Sequence, residues 1–228
     1  IVVTATDGTA SVTDTYVLTV TNTNDAPTVA NAISDASTAE DAAYSLDISS
    51  VFTDVDASTT LSYSISGAPS TITHSSGTIS GTPLNANVGA HTIVVTATDG
   101  TASVTDTYVL TVTNTNDAPT VASAISDVSA AEDTAYSLDA SGTCTDVDAS
   151  DSMTYTISGG PDTITATTAG VISGTPVNAN VGAHTITVTC TDGSNAAATD
   201  AYVLTVTNTN DAPTVANAIS DASTAEDA

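Results

Sequence analysis

Paired aspartates, aspartates before glycine and glutamates in one fixed motif are the side chains of this chain best suited to chemistry. Asp54-Val55-Asp56 recurs as Asp146-Val147-Asp148, and Asp99 precedes Gly100 as Asp192 precedes Gly193. Asn114-Thr115-Asn116-Asp117 recurs as Asn208-Thr209-Asn210-Asp211. Glutamate occurs only as Glu40, Glu132 and Glu226, each within Ala-Glu-Asp, while every other acid is Asp. A longer acid kept at one place points to reach or to bidentate ligation. These are the oxygen donors that calcium takes, six to eight of them at about 2.3–2.6 Å. Asp and Glu total 26 and Lys and Arg are absent, so no carboxylate has a basic side-chain partner. Like charges at about 5 Å repel by roughly 1–3 kcal/mol at effective dielectrics of about 20–80, and only cations from solution offset that. The other reading of the same residues is that they make turns and caps in solvent.

The elements that must position these residues follow from self-comparison. Residues 1–24 recur unchanged at 93–116, and residues 25–42 recur unchanged at 211–228. Complete repeats of 25–116 and 117–210 are therefore expected, preceded by the C-terminal strands of one repeat (1–24) and followed by the start of another (211–228). That period is too long for a solenoid coil and fits independent domains in series. Apolar residues alternate at Tyr44, Leu46 and Ile48, at Leu61, Tyr63 and Ile65, at Ile93, Val95 and Ala97, and at Tyr108, Leu110 and Val112, the period of half-buried strands. Val94 becomes Thr187 in the second repeat, whereas its neighbours stay apolar as Ile186, Val188 and Cys190. Turn signals at Gly67-Ala68-Pro69, Gly81-Thr82-Pro83, Val88-Gly89 and Asp99-Gly100 separate the runs. The fold class this predicts is all-β, tandem immunoglobulin-like sandwiches of about seven strands.

Counting seven strands up and down along the chain puts the loops after strands two and six at the leading end of a repeat. The loops after strands one, three and five then fall at its trailing end. Asp146, Asp148 and Asp192 are thereby expected to gather with linker residues Asn114, Asn116 and Asp117 and with Glu40 of the repeat before. The two cysteines, Cys144 and Cys190, replace Phe52 and Ala97 of the first repeat, a large and a small residue that would touch across the core if their strands are neighbours. A disulfide there would contribute about 2–4 kcal/mol and favour an oxidising, extracellular setting. Two free buried thiols are the alternative.

Three motifs in order, FTDVDASTTLSYSI (52–65), ISGTPLNANVGAHTIVVTATDG (79–100) and NTNDAPT (114–120), each recurring in the second repeat, resemble the cadherin-like repeats of large bacterial surface adhesins. The resemblance spans the whole chain. It implies cadherin-like sandwiches that bind Ca2+ where one domain meets the next, through Glu40, Asp54, Asp56, Asp99, Asn116 and Asp117. The second repeat supplies Glu132, Asp146, Asp148, Asp192, Asn210 and Asp211, and the matching linker positions add Asn24, Asp25, Asn114 and Asn208. The chain departs from the cadherin pattern at Asn114, where an acid is common, and at PLNAN (83–87), where an acidic motif is expected. Asn85 and Asn87 offer carbonyl oxygens there, and one or two ions per junction suit this set better than three.

Several classes fall away. A chain without Lys or Arg cannot neutralise phosphates and is repelled by anionic membranes, so nucleic acid and lipid headgroups are poor partners. Acidity with few aromatics fits disorder in general, but 40% hydrophobic content in alternating positions argues for packed strands. His74, His91 and His184 read as strand or loop residues rather than ligands or catalysts. No G-x-S-x-G elbow occurs, and an active site repeated in every turn of an array is not expected, so the chain is not read as an enzyme. Thr-rich strands lack the short flat period of ice-binding surfaces, and no N-x-S/T sequon is present. Ile1 opens inside a strand-like run without a signal sequence, as in a window cut from a longer chain. The expectation is an extracellular, calcium-rigidified spacer of a surface adhesin or fibre. Its partners would be neighbouring repeats, like chains and an unidentified surface ligand; a glycan- or protein-binding module is the alternative.

Overall fold

A computed structural model describes residues 1–56, 59–148 and 152–226. The chain divides into two compact units, Ile1–Thr115 and Asn116–Ala228. In the first, β1 (Val2–Thr6) and β2 (Ser11–Thr15) form an exposed hairpin. The sandwich follows as β3 (Thr28–Val29), β4 (Ala36–Ala39), β5 (Tyr44–Asp47), β6 (Phe52–Thr53), β7 (Ser62–Ser66), β8 (Ile72–Ser75), β9 (Thr78–Gly81), β10 (Gly89–Thr98) and β11 (Ser103–Thr113). One sheet has the order β4-β11-β10-β7, with β4 parallel to β11. Facing it are β5-β9-β8 and the short pair β3-β6.

The second unit repeats this as β12 (Thr120–Val121), β13 (Val128–Ala131), β14 (Tyr136–Asp139), β15 (Cys144–Thr145), β16 (Thr154–Gly159), β17 (Ile164–Ala166), β18 (Val171–Gly174), β19 (Gly182–Thr191) and β20 (Ala197–Thr207). Its sheets are β13-β20-β19-β16, β14-β18-β17 and β12-β15. Residues 211–226 form no strand, and Asp227 and Ala228 of the expected following repeat lie outside the described residues. The seven expected strands become nine segments in each repeat because the first and second strands are each broken in two. The sheet orders are not the simple up-and-down succession used for counting. Consecutive strands still reverse direction, so the two ends of the repeat keep the loops assigned to them.

Strands form here because Val, Ile, Thr and Tyr, branched or aromatic, alternate between an apolar core and a polar Thr or Ser face. In β10 and β11, Ile93, Val95, Ala97, Tyr108, Leu110 and Val112 are all buried, and Ile93 sits opposite Tyr108 across the ladder. Ile186 sits opposite Tyr202 in the second unit. Leu46, Leu61, Tyr63 and Ile65 are only partly buried, against a core that also takes in Val51, Phe52, Ile72 and Ile79. The buried Tyr108 hydroxyl accepts a hydrogen bond from Tyr44 at 3.3 Å, and the hydroxyls of Tyr136 and Tyr202 lie 3.1 Å apart. Burial raises the pKa of the Tyr108 and Tyr202 hydroxyls well above the usual tyrosine range, with the partner hydroxyl as the second cause. A disulfide joins Cys144 in β15 to Cys190 in β19, tying the short β12-β15 pair to the four-stranded sheet across the second core, where Phe52 and Ala97 stand in the first.

Gly81 ends β9 opposite both Tyr44 and Ile72, and a methyl group there would collide with the carbonyl of Thr71. Gly174 meets the Thr163 carbonyl in the same way. Gly81→Ala and Gly174→Ala are each expected to destabilise their own repeat by about 1–3 kcal/mol. Urea unfolding should show this as a lower midpoint at an unchanged slope.

Candidate metal centre

At the leading end of the first repeat, β6 runs out into Asp54 and Asp56, and β10 into Asp99. Asp54 turns its own loop, because its Oδ1 accepts the Asp56 N–H at 2.9 Å. Asp56 Oδ2 accepts the N–H of Asp25 at 2.9 Å, and its Oδ1 accepts the Asn22 amide at 2.8 Å. Asp99 Oδ1 accepts the N–H groups of Ala102 and Thr101, both at 2.6 Å, and its Oδ2 accepts the Asn24 amide at 3.0 Å. Those bonds, the Ala102 amide first, hold the Asp99 carboxyl below the usual range.

The second unit repeats the arrangement. Asp146 Oδ1 accepts the Asp148 N–H at 2.9 Å, Asp148 Oδ2 accepts the Asp117 N–H at 2.8 Å, and Asp192 Oδ2 accepts the Asn116 amide at 2.9 Å. That Asn116 amide leads the causes that lower the Asp192 carboxyl, ahead of the backbone N–H groups of Ala196, Ser194 and Asn195. In both repeats an Asn side-chain NH2 bridges a carboxylate and a linker carbonyl, that of Asp25 or Asp117. A donor group thus sits between two oxygens, and rotating the amide about its bond would turn its own oxygen to the same place.

The trailing ends are built around the glutamates. Glu40 and Glu132 are 2% and 1% exposed. Each is pinned by its backbone N–H on the carbonyl of Thr113 or Thr207. Glu40 Oε1 accepts the Thr115 N–H at 2.8 Å, and Glu132 Oε1 accepts the Thr209 N–H at 2.7 Å. The next residues, Asp41 and Asp133, take left-handed backbone angles of φ 55° and 58°, a conformation that Asp tolerates better than most residues. In the second unit, oxygens of Glu132, Asp133 and Asp211 all lie within 4.8 Å of one another.

Among the described residues, the buried side-chain oxygens without a hydrogen-bond partner are Glu40 Oε2, Asp54 Oδ2, Glu132 Oε2 and Asp146 Oδ2. All four belong to carboxylates singled out from the sequence. A buried polar atom left unpaired loses its full hydration. The donors are all oxygen, their charge is negative, and the chain has no Lys or Arg to meet them. That set fits a hard divalent cation such as calcium.

Other expected residues have more local roles. Asn208 and Asn210 bond the carbonyls of Thr209 and Asp211 through their own amides, and Asn114 lies one residue before Thr115 in the unit of Glu40. Asn87 Oδ1 already accepts from the Thr71 hydroxyl and the Leu84 N–H, closing a short 3-10 turn. Asn180 does the same for Val177. His91 and His184 hold that turn through Nε2, 2.7 and 2.6 Å from the Asn87 and Asn180 carbonyl oxygens. His74 accepts the Gly77 N–H and packs edge-on against Tyr63. Asp133 and Asn22 were not singled out from the sequence. Asp133 is the third letter of the Ala-Glu-Asp motif, and Asn22 is the counterpart of Asn114.

The sequence profile described as Putative Ig domain matches residues 26–113 and again 118–207. No curated protein matches the chain. Among solved structures, mouse cadherin-23 domains EC22–24 are similar at 20% identity and a TM-score of 0.55, over 78% of this chain and 63% of that one. Extracellular cadherin domains 1–5 of protocadherin gamma B2 give 20% and 0.52, over 82% and 41%. An endo-fucoidan hydrolase of glycoside hydrolase family 107 gives 23% and 0.40, over 91% and 33%. The chain thus spans less than two thirds of each of these proteins. At these identities the likeness to the cadherin structures shows a shared fold, in tandem Ig- and cadherin-like repeats.

Proposed function

The chain belongs to the Putative Ig domain family, and on that footing we propose that its repeats, 25–116 and 117–210, form an extracellular spacer whose ends are stiffened by calcium. The observation that carries this reading is the set of four unpaired, buried carboxylate oxygens at Glu40, Asp54, Glu132 and Asp146 in a chain without Lys or Arg. Glu132 and Asp133 would hold an ion together with Asp211 of the segment that follows, and Glu40 and Asp41 are the matching carboxylates of the first repeat. Asp54, Asp56, Asp99, Asn24 and Asp25 would serve the leading end of the first repeat. Asp146, Asp148, Asp192, Asn116 and Asp117 would serve that of the second. Calcium supplies positive charge and a many-sided oxygen bridge. The chain supplies a pinned carboxylate from the repeat and a donor from the linker, so that the linker loses its freedom when both engage one ion.

The Ig-like family and the inter-sheet disulfide fit an extracellular setting. No helix among the described residues is long and apolar enough to cross a membrane. In this reading the chain performs no catalytic step. Its partners are its own neighbouring repeats, and as part of an adhesin or fibre it would present a ligand-binding region or pack against like chains.

Calorimetric titration with calcium tests the proposal. Wild type is expected to bind with Kd of about 0.1–1 mM, the range of extracellular modules. Glu132→Gln keeps the size and the Oε1 acceptor but removes the charge, and should weaken one class of site at least tenfold. Failure of the wild-type chain to bind calcium in that range would end this reading.

A further inference from the structure

We propose that the Cys144–Cys190 disulfide is a positioning device for the calcium ligands of the second repeat, holding its leading-end carboxylates in place before the ion arrives. This rests on the calcium reading above. Cys144 lies two residues before Asp146, and Cys190 lies two residues before Asp192. The bond therefore closes on the roots of both ligand arms, with the two Cα atoms 6.4 Å apart.

The two arms need this to different degrees. Asp192 leaves β19, a ten-residue strand hydrogen-bonded on both sides by β16 and β20. Asp146 and Asp148 leave β15, which is two residues long and pairs only with the two residues of β12. The linker is gripped by one hand from each arm: Asp148 takes the Asp117 N–H, and Asp192 takes the Asn116 amide. Relative movement of the two sheets at this end would pull those hands apart. The first repeat makes the same grip on Asn24 and Asp25, but the root of its short arm is Phe52, whose ring centroid lies 5.9 Å from that of Tyr63, in the same core cluster as Ala97. One repeat thus holds its frame by packing and the other by a covalent bond. Both bonded cysteines are buried.

The consequence is a difference in affinity with an internal control. A ligand set fixed in advance loses less freedom on binding, and removing a support outside the coordinating shell commonly weakens a metal about 10–100-fold. The whole chain is compared in three forms: oxidised wild type, Cys144→Phe/Cys190→Ala, which restores the pair found in the first repeat, and Cys144→Ser/Cys190→Ser. Hydrogen exchange is read first in EDTA at the amides of Asp117, Asp148, Ser194 and Ala196, all of which donate to the carboxylates concerned. Calcium titration follows, with the protection of each repeat's amides used to assign the sites. The expected result is faster metal-free exchange at those four amides and calcium affinity about tenfold lower at this end alone in Cys144→Ser/Cys190→Ser, with Cys144→Phe/Cys190→Ala, whose packed pair braces the arms as in the first repeat, staying close to the wild type. The Asp25 and Asp56 amides of the first repeat should be unaffected. Equal exchange and equal affinity in all three forms would overturn this inference and leave the calcium reading standing. Absence of calcium binding in every form would remove both.

Discussion

Removing calcium from this chain with EDTA is expected to lower its midpoint of thermal unfolding by about 12–24 °C. An ion that binds only the folded state, present at about ten times its Kd, stabilises by roughly 1.4 kcal/mol per site. About two sites per repeat, one at each end, give about 3 kcal/mol, and a domain of this size shifts by about 4–8 °C per kcal/mol. The unpaired oxygens of Glu132 and Glu40 are why the effect should be specific. Sodium chloride at 0.15 M screens exposed charges beyond about 8 Å, yet it cannot complete a buried coordination shell. Magnesium demands a tighter octahedron and parts reluctantly with its water, so it should restore less than calcium does. Scanning calorimetry in EDTA, in calcium, in magnesium and in matched sodium chloride separates these contributions. An unchanged midpoint between EDTA and calcium would remove the proposed role of the ion.

The second large effect concerns the independence of the repeats. Leu110 is fully buried in β11, between β4 and β10, within a cluster made only of residues from the first repeat. Its counterpart Leu204 lies in a separate cluster that contains the disulfide. Truncating a buried leucine to alanine removes its transfer energy and leaves a cavity, together about 2–5 kcal/mol. In EDTA, Leu110→Ala should lower one calorimetric transition by at least about 8 °C and leave the other in place, and Leu204→Ala should move the other one. A common shift of both transitions would mean that the two cores unfold as one unit.

The inner faces of the long strands were legible because an alternating pattern is a local property, repeated twice with the inner positions kept apolar even where they change, as from Ala97 to Cys190. Val94 became Thr187 without disturbing Ile93, Val95 or their counterparts. The gathering of Asp54, Asp56 and Asp99 at one end was legible as well, since it needs only the reversal of direction at each turn. The pairing of β4 with β11 was not, because Ala36 and Leu110 are more than seventy residues apart and nothing in either run names the other. Nor was the break in the first two strands of each repeat, where polar positions such as Ser49 and Ser50 follow an Asp47 that caps its own turn. Asp133 escaped notice for a different reason. Its value lies in a left-handed backbone angle that turns it toward Glu132 and Asp211, and composition cannot reveal a dihedral. Asn87 was readable as an oxygen donor, but its role in the 3-10 turn depends on Thr71, which is remote in sequence.

The parallel pairing of β4 with β11 bears on how such a repeat would respond to tension. Pulling on the start of one strand and the far end of its parallel neighbour loads their ladder in shear, so that the bonds between Ala36–Ala39 and Leu110–Thr113 resist together instead of opening one at a time. Rupture is then governed by the rate of crossing a barrier rather than by equilibrium stability. A tether made of such units would yield abruptly, one repeat after another, and lengthen while it still holds its load.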